Sequence, residues 1–252
     1  MNSLTTYYLN RRKEYRKYLR ALTRSSSQKD IHSLRLVIKK MRAIYHLLSF
    51  CDQTFDFEQH FSPLLEIFKA SGKIRDIDVT SKCIPKAAPK KNKKIIETLH
   101  KERIRAFRDV RKIARQILLR EDPGQDRSQL LTEDVRDDII MDYLGRVFAD
   151  IHQECKEKLN TERLHGIRKL CKEYMYVSRA GGKVVFSQSR ENLRHLNPLQ
   201  KEIGRWHDYV ITADVIKTTS KRSKMRDRIV ITLKNEERKL RKNALKELKI
   251  LT

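Results

Sequence analysis

The sequence predicts an all-α protein made of two similar helical halves, and three observations support this prediction. Glycine and proline are scarce, with seven and five residues among 252, which favours long uninterrupted helices. Apolar residues recur every three or four positions in nearly every segment, as on one face of an α-helix. A His-led basic pattern and a Gly-led signal each occur twice, at offsets of 133 and 132 residues. Two signals with nearly the same offset indicate an internal duplication.

Four longer helices and one short helix are expected in the first half, and their ends follow from capping and breaking residues. Asp30 is expected to cap the second helix, and Pro63 suits the first turn of the third. Gly72 is expected to end the third helix, with a short helix after it. Two prolines mark residues 83–92 as a loop. The helices are placed at about 3–22, 30–50, 62–72 and 93–119.

The second half repeats this order after a linker predicted over 121–132, where Glu-Asp-Pro-Gly-Gln-Asp is the clearest break in the chain. A loop is expected to start at Ala180. The helices are placed at about 133–159, 162–179, 190–203, after Gly204, and 222–250. We therefore predict a single domain over 1–252 with two repeats, 1–120 and 133–252. Each repeat is expected to form a helical bundle, and the two bundles are expected to pack side by side with similar topology.

The charge is strongly positive, because 57 Lys and Arg stand against 32 Asp and Glu for a formal charge of +25. Such an excess repels itself, so it points to an anionic partner. No stretch approaches the ~18 apolar residues of a membrane span, the N-terminus lacks a signal-peptide core, and the four cysteines form no CxxC pair. We therefore expect a cytoplasmic protein with no membrane partner.

The first His-led helix carries a row of cations. An apolar stripe that starts at Ile31 lies one residue, or about 100° of helix rotation, away from this row, which therefore borders the core. No carboxylate occurs between Ile31 and Phe50, whereas solvated helix faces usually mix both signs. The row consists of His32, Arg35, Lys39, Arg42 and His46.

The second His-led helix has a matching row at the same offset from its apolar stripe. The row consists of His165, Arg168, Lys172 and Arg179. Two such helices could face one another across a groove, where their charges would repel unless an anion lay between them. Arginine binds phosphate oxygens in pairs, lysine supplies a point charge, and histidine becomes a cation when a phosphate raises its pKa. A series of such groups suits a polymer of phosphates better than one small ligand.

The Gly-led signal supplies further candidates near the same groove. We expect its two aspartates to form salt bridges that orient Arg75 and His207 toward the groove. The signal reads Gly72-Lys-Ile-Arg75-Asp76 in the first half and Gly204-Arg-Trp-His207-Asp208 in the second.

Other basic segments lie outside these signals. The C-terminal helix is basic, but its apolar residues are expected to be core rather than membrane-facing. Two rows at helical spacing are Arg12, Arg16 and Arg20 on the first helix and Lys101, Arg105, Arg108, Lys112 and Arg115 on the fourth.

The sequence predicts neither a catalytic nor a metal centre. His152 and Cys155 could supply two zinc ligands, but no second closely spaced pair completes a site. The motifs of phosphate-binding loops, GxSxG hydrolases and ExExK triphosphate tunnels are missing. Carboxylates are scarce in the cationic segments, so a metal-dependent phosphoryl transferase would lack its usual ligands. We therefore expect no enzyme activity, no metal and no cofactor.

These residues resemble the motifs of the CHAD family, the conserved histidine α-helical domains. The resemblance covers nearly the whole chain, and four loose motifs in the right order and spacing make it fairly specific. H-x-x-R-x-x-x-[KR]-[KR]-x-R matches His32, Arg35, Lys39, Lys40 and Arg42, and G-x-x-R-D-x-D matches Gly72, Arg75, Asp76 and Asp78. In the second half, H-x-x-R-K-x-x-K matches His165, Arg168, Lys169 and Lys172, and G-x-x-H-D matches Gly204, His207 and Asp208.

The resemblance implies two four-helix bundles related by pseudo-twofold symmetry, with inorganic polyphosphate threaded along a basic central groove or channel between them. It also implies association with polyphosphate granules and no catalysis by the domain itself. The second half departs from the pattern at Glu173, a position that is usually basic, and at Met175, where an arginine usually precedes the tyrosine. These departures predict weaker binding by the second half.

The sequence thus leads to the hypothesis of a non-enzymatic polyphosphate-binding protein. Affinity is expected to fall steeply with salt and to tighten as the pH drops from about 8 to 6. The main alternative is a DNA- or RNA-backbone-binding protein, which the charge allows although no reading motif is present. A polyphosphate phosphatase is a second alternative, which would need a metal or a carboxylate set. The expected contacts are His32, Arg35, Lys39, Lys40, Arg42, Arg75, His165, Arg168, Lys169, Lys172 and His207.

Overall fold

The computed structural model describes residues 3–25, 27–87, 93–120, 135–220 and 223–249, and every regular element in these ranges is an α-helix. The predicted all-α class is therefore confirmed. Within the same ranges, no helix combines the length and the apolar composition of a membrane span. The helices are α1 (Ser3–Arg24), α2 (Gln28–Cys51), α3 (Phe57–Ala87), α4 (Lys93–Leu119), α5 (Asp137–Lys156), α6 (Thr161–Ala180), α7 (Gly182–Gln188), α8 (Arg190–Thr219) and α9 (Lys224–Leu248).

Two helices are continuous where the sequence predicts breaks. α3 continues through Gly72, and α8 continues through Gly204. The expected helix ends at these glycines are wrong, because each glycine lies inside its helix against an arginine of a neighbouring helix. Among the described glycines only Gly182 has a positive φ, at 88°, so neither Gly72 nor Gly204 forms a turn.

The start of α2 also differs from the prediction. Ser27, rather than Asp30, caps the helix, since the Ser27 hydroxyl accepts a hydrogen bond of 3.3 Å from the Asp30 backbone N–H. Asp30 lies in the first turn, where its negative charge interacts favourably with the positive end of the helix dipole.

The connections between helices are shorter than expected in two places. The loop predicted after Ala180 is limited to a turn at Gly181, because α7 follows at once. α3 extends to Ala87, into the loop predicted over 83–92. The rest of that loop and the predicted linker over 121–132 lie outside the described residues.

Helices that carry corresponding motifs pack against one another. α2 packs on α6 and α3 packs on α8, while α4 and α9 pack on α3 and α8 respectively. α1 lies against α2 and α4, and α5 lies against α6. This arrangement brings the two His-led helices together, as expected for two repeats related by a twofold axis. The duplication itself stays a prediction.

Side chains from both halves meet in each of two apolar cores. The larger core includes Leu34 and Ile38 of α2 together with Ile167 and Tyr174 of α6. The smaller core joins α3 and α4 to α8 and α9. It consists of Ile77, Ile84, Ile95, Leu99, Ala213, Ile216, Ile229, Val230 and Leu233. These shared cores fix how the two His-led helices face each other.

Candidate anion-binding site

Cationic side chains from four helices converge where α2 and α3 of the first half meet α6 and α8 of the second. Lys39 of α2 is central, because Arg75 of α3 and Arg168 of α6 are both among its electrostatic neighbours. His165 of α6 and His207 of α8 interact with the same lysine. We call this set the basic cluster. It consists of Arg35, Lys39, Arg42, Arg75, His165, Arg168 and His207.

The cations of the basic cluster lower one another's pKa. Burial, followed by repulsion from Arg168 and Arg35, lowers the pKa of Lys39 to about 7. Burial also lowers the pKa of Arg35 to about 10, and it lowers the pKa of Arg168. A negative charge placed among these groups would favour every protonated form, so the cluster is suited to an anion.

Arg35 is positioned by α3. Its guanidinium lies over the Phe68 ring, with Cζ 4.1 Å from the ring centroid. Nη1 donates hydrogen bonds to the Phe68 carbonyl oxygen and to Ser71 Oγ, the latter at 3.2 Å. A β-carbon at Gly72 would lie 3.5 Å from Nη1, an ordinary van der Waals contact. α3 therefore holds one face of the guanidinium in place.

Arg168 lies against Gly204 of α8 in a closer version of the same arrangement. A β-carbon at position 204 would lie 3.1 Å from Arg168 Nε, which is tighter than ordinary packing. Nε is buried and has no hydrogen-bond acceptor among the described residues. A buried donor without an acceptor costs roughly 1–3 kcal/mol, so an anionic ligand at this position would be stabilising.

His165 and His207 form a pair beside Arg168. Their ring centroids are 4.6 Å apart, with 37° between the ring planes. Burial, followed by repulsion from His165 and Arg168, lowers the pKa of His207 to about 4. Burial, followed by repulsion from Lys169, also lowers the pKa of His165. Both rings are therefore neutral at pH 7 in the free protein, and in each the Nδ1 atom is buried without a hydrogen-bond partner among the described residues.

Arg75 pairs across the two halves rather than with its neighbour in sequence. Arg75 Nη2 lies 4.0 Å from Asp208 Oδ1. The sequence instead predicted that Asp208 orients His207. Burial raises the pKa of both Asp76 and Asp208. Attraction to Arg75 and to a second nearby arginine acts on each carboxyl in the opposite direction. Two carboxylates thus lie on the α3 and α8 side of the basic cluster.

Cavities lie at both ends of the cationic row on α2. His32 and Arg75 line a pocket of about 290 Å³, together with Lys82. Arg42 and Lys169 line a cleft of about 640 Å³ between α2, α5 and α6. The helix rises ~15 Å between His32 and Arg42, so the row spans the distance between the two cavities.

Three other predicted contacts lie at the edge of the basic cluster or apart from it. Lys169 is exposed and lies near His165. Burial, followed by repulsion from Arg168, lowers the pKa of Lys172 to about 8, which places this lysine beside the cluster. Lys40 faces α1, where Arg11 is its leading electrostatic neighbour. The structure therefore brings most of the predicted residues together and leaves Lys40 apart.

The two departures from the family pattern have structural partners. Glu173 Oε1 lies 3.0 Å from His46 Nδ1 of α2 and accepts a hydrogen bond from the Tyr143 hydroxyl of α5. Met175 is buried in the larger core. Glu173 thus links three helices at the wall of the larger cleft. Weaker binding by the second half stays a prediction.

Sequence reasoning missed three residues of α3 that belong to the site. Phe68 and Ser71 hold Arg35, and Lys82 lines the pocket beside His32. Lys82 was missed because α3 was expected to end near Gly72, whereas Phe68 and Ser71 lie inside the predicted helix and no local pattern links them to Arg35 of α2. The available signal was spacing, since positions 68, 75 and 82 lie seven residues apart on one face of a continuous helix.

The fold and the site together define an all-α protein with a cluster of cations at the junction of its two halves. The family model described as "CHAD domain" matches residues 7–217. The chain therefore belongs to the CHAD family. Among solved structures, the crystal structure of the CHAD domain from the plant Ricinus communis is similar, with a TM-score of 0.68 and 13% sequence identity over 94% of this chain and 84% of that chain. At this identity the likeness concerns the fold. No curated protein matches the sequence.

Proposed function

We propose that the protein binds inorganic polyphosphate at the basic cluster without catalysing a reaction. One observation carries the proposal: cations from α2, α3, α6 and α8 converge so closely that burial and mutual repulsion lower the pKa of Lys39 to about 7. Folding holds these charges together against their repulsion. An extended anion would offset that repulsion at several positions at once. Membership in the CHAD family carries the same expectation.

The shape of the site supports a thin polymer of phosphates. The row on α2 runs between a pocket of about 290 Å³ and a cleft of about 640 Å³, which give a chain room to continue past either end, although carboxylates as well as cations line both cavities. The four arginines and the one lysine of the basic cluster are half-buried between helices. A single flexible chain reaches such side chains more easily than a wide duplex, whose phosphates lie on a rigid cylinder.

The donor set supports binding rather than catalysis. It consists of cations and neutral histidines, and the two nearby carboxylates, Asp76 and Asp208, are attracted to Arg75. The Arg168 Nε–H, which has no acceptor among the described residues, can donate to a phosphate oxygen, and so can a histidine ring nitrogen that carries a proton. With polyphosphate as the ligand, we expect the protein to be cytoplasmic and associated with polyphosphate granules.

Competition for the site tests this function against the nucleic-acid alternative. Labelled long-chain polyphosphate is bound at near-physiological salt, and duplex DNA, single-stranded RNA or unlabelled polyphosphate is added at equal phosphate concentration. We expect polyphosphate alone to displace the label efficiently. Equal displacement by DNA or RNA would favour the nucleic-acid alternative at this site.

A matched pair of variants locates the binding. The double variant Lys39→Gln with Arg168→Gln removes two charges from the basic cluster, and Lys234→Gln with Arg238→Gln removes two exposed charges from α9. We expect the first variant to lower polyphosphate affinity at least tenfold and the second to lower it less than twofold, since exposed charges are screened by salt. Equal losses would contradict a specific site. Phosphate release during incubation with polyphosphate and a divalent metal would contradict the non-enzymatic role.

A further inference from the structure

Much of the positive charge lies away from the basic cluster. α1 and α4 together contain sixteen Lys and Arg against four carboxylates, an excess of twelve charges, whereas the whole chain has +25. Neither helix contributes a cation to the basic cluster. Nearly half of the net charge therefore has no role in the proposed polyphosphate site.

α1 and α4 are packed side by side in an antiparallel arrangement. Arg111 Nη2 donates a hydrogen bond to the Arg24 carbonyl oxygen at 3.5 Å, near the end of α1. Earlier residues of α1, including Leu19, line a shallow furrow of about 180 Å³ with Ile117 and Leu118 near the end of α4. Residue numbers therefore rise along one helix in the direction in which they fall along the other, so the two helices are antiparallel.

Exposed cations lie on both helices of this pair, and we call six of them the α1–α4 basic face. Arg20 lines the furrow, and Arg111 places the adjoining side of α4 against α1. Arg108 and Arg115 project from α4 within about 60° of Arg111, on the side away from the core, because residues three and four apart share a helix face. The face consists of Arg16, Arg20 and Arg24 of α1 and Arg108, Lys112 and Arg115 of α4, all of them exposed.

Most of these cations lack a carboxylate partner. Within the described ranges, no carboxylate lies at salt-bridge distance from five of the six side chains. They are Arg20, Arg24, Arg108, Lys112 and Arg115. By contrast, Arg105 on the neighbouring part of α4 pairs with Glu102 at 2.8 Å. The face is therefore a patch of like charge that an external polyanion would neutralise.

We infer that the α1–α4 basic face binds the sugar-phosphate backbone of double-stranded nucleic acid, independently of base sequence. Packed helices lie about 8–10 Å apart, so two cationic rows can reach phosphates on both sides of a groove about 6–12 Å wide. Five of the six residues are arginines, whose planar fork pairs with phosphate oxygens. This site is separate from the basic cluster and does not depend on polyphosphate binding there.

Two other polyanions fit the face less well. A membrane-surface helix needs a continuous apolar stripe to enter the lipid, but the apolar side of α4 is used in the core, with Val110 and Ala114 fully buried. Its exposed apolar residues, Ile104 and the pair Leu118 and Leu119, lie about 21 Å apart along the helix. Polyphosphate has a single line of charge and would use one row rather than two.

The test compares two triple variants of the full chain. In the first, Arg20→Gln, Arg108→Gln and Arg115→Gln remove three charges from the α1–α4 basic face. The matched control removes three exposed charges from α9 and consists of Lys234→Gln, Arg238→Gln and Lys242→Gln. Binding of a mixed-sequence duplex DNA and of long-chain polyphosphate is measured over a series of salt concentrations. Thermal unfolding checks that both variants are folded.

We expect the variant of the α1–α4 basic face to bind duplex at least tenfold more weakly. The slope of log affinity against log salt concentration should become shallower by roughly 0.9 for each phosphate contact removed, about 2.7 in all. The α9 control should change duplex affinity less than twofold, and both variants should keep polyphosphate affinity within twofold. Equal losses in the two variants would overturn the inference, because net charge alone would then explain binding. A parallel loss of polyphosphate affinity, or tighter binding to phosphatidylserine vesicles than to duplex, would overturn it as well.

Discussion

Arg168 of α6 lies across Gly204 of α8, so closely that a β-carbon at position 204 would stand 3.1 Å from its Nε. Arg35 of α2 lies across Gly72 of α3 in the first half, with a corresponding distance of 3.5 Å. In both halves a glycine inside one helix contacts an arginine of the basic cluster that lies on a neighbouring helix. The glycine is therefore part of the site, although it has no side chain to offer a ligand.

Replacing Gly204 by alanine should weaken polyphosphate binding without unfolding the protein. The added methyl group displaces Arg168, and we expect a loss of about fivefold in affinity, or roughly 1 kcal/mol. The matched control is Gly145→Ala on α5, where a β-carbon would meet nothing within 4 Å. Calorimetric titration and thermal unfolding of both variants measure the two effects. The control should keep its affinity and gain about 1 kcal/mol of stability from helix propensity; equal affinities in the two variants would contradict the role of Gly204.

Polyphosphate binding should be coupled to proton uptake through Lys39. Its pKa of about 7 in the free protein means that this lysine is about half protonated at neutral pH. A bound phosphate favours the charged form and raises the pKa, so binding takes up a proton between the free and bound values. Affinity should therefore fall as the pH rises from about 7 to 9. Titration calorimetry in two buffers of different ionisation enthalpy measures the proton uptake directly.

The variant Lys39→Arg serves as the control for this pH dependence. Arginine keeps its charge throughout the range, so the decrease in affinity between pH 7 and 9 should become much smaller. An unchanged pH profile in the variant would show that another group takes up the proton. Tighter binding as the pH drops from about 8 to 6, which the sequence predicted for the histidines, requires a phosphate to raise the lowered pKa of His165 and His207.

Removing the carboxylate of Asp208 should strengthen polyphosphate binding. Asp208 lies beside Arg75 and interacts with Arg168, so its negative charge opposes an anion in the basic cluster. We expect Asp208→Asn to raise the affinity about two- to fivefold at low salt, with a smaller gain at high salt because of screening. Asp214→Asn, on the same helix but exposed and paired with Lys217, is the matched control and should have little effect. A loss of affinity in Asp208→Asn would indicate instead that Asp208 is needed to position Arg75.

Glu173 should contribute to stability rather than to ligand affinity. The variant Glu173→Gln weakens the contact with His46 and the hydrogen bond from Tyr143, so we expect a loss of about 1 kcal/mol in the free energy of unfolding. Polyphosphate affinity should change less than twofold. Chemical denaturation and a binding titration measure the two quantities. A gain in affinity above fivefold would show that Glu173 mainly repels the ligand, as the departure from the family pattern predicted.

Sequence reasoning reached the fold class and the core of the site because both depend on helical periodicity. The spacing of Arg35 and Lys39 along one helix, and of Arg168 along its counterpart, places these side chains beside an apolar stripe. Packing of α2 on α6 then brings them together. The location of the cationic rows could thus be predicted from the chain alone.

The remaining features depend on contacts between helices that no local pattern records. Gly72 was expected to end a helix, yet it lies inside α3 against Arg35 of α2. Asp208 follows His207 in sequence, yet it approaches Arg75 from the other half. Lys40 fits the family motif, but the rotation of α2 turns it toward α1. In each case the partner lies on a different helix.

The smaller core has a consequence for synthesis of the chain on the ribosome. Ile95 and Leu99 of α4 share the smaller core with Ile229 and Leu233 of α9, which follow about 130 residues later. At ~5–20 residues per second, the first pair waits roughly 7–27 s for the second to be translated. During this interval Ile95 and Leu99 lack the residues of the second half that complete their core, so the first half cannot reach its final packing before α9 is translated.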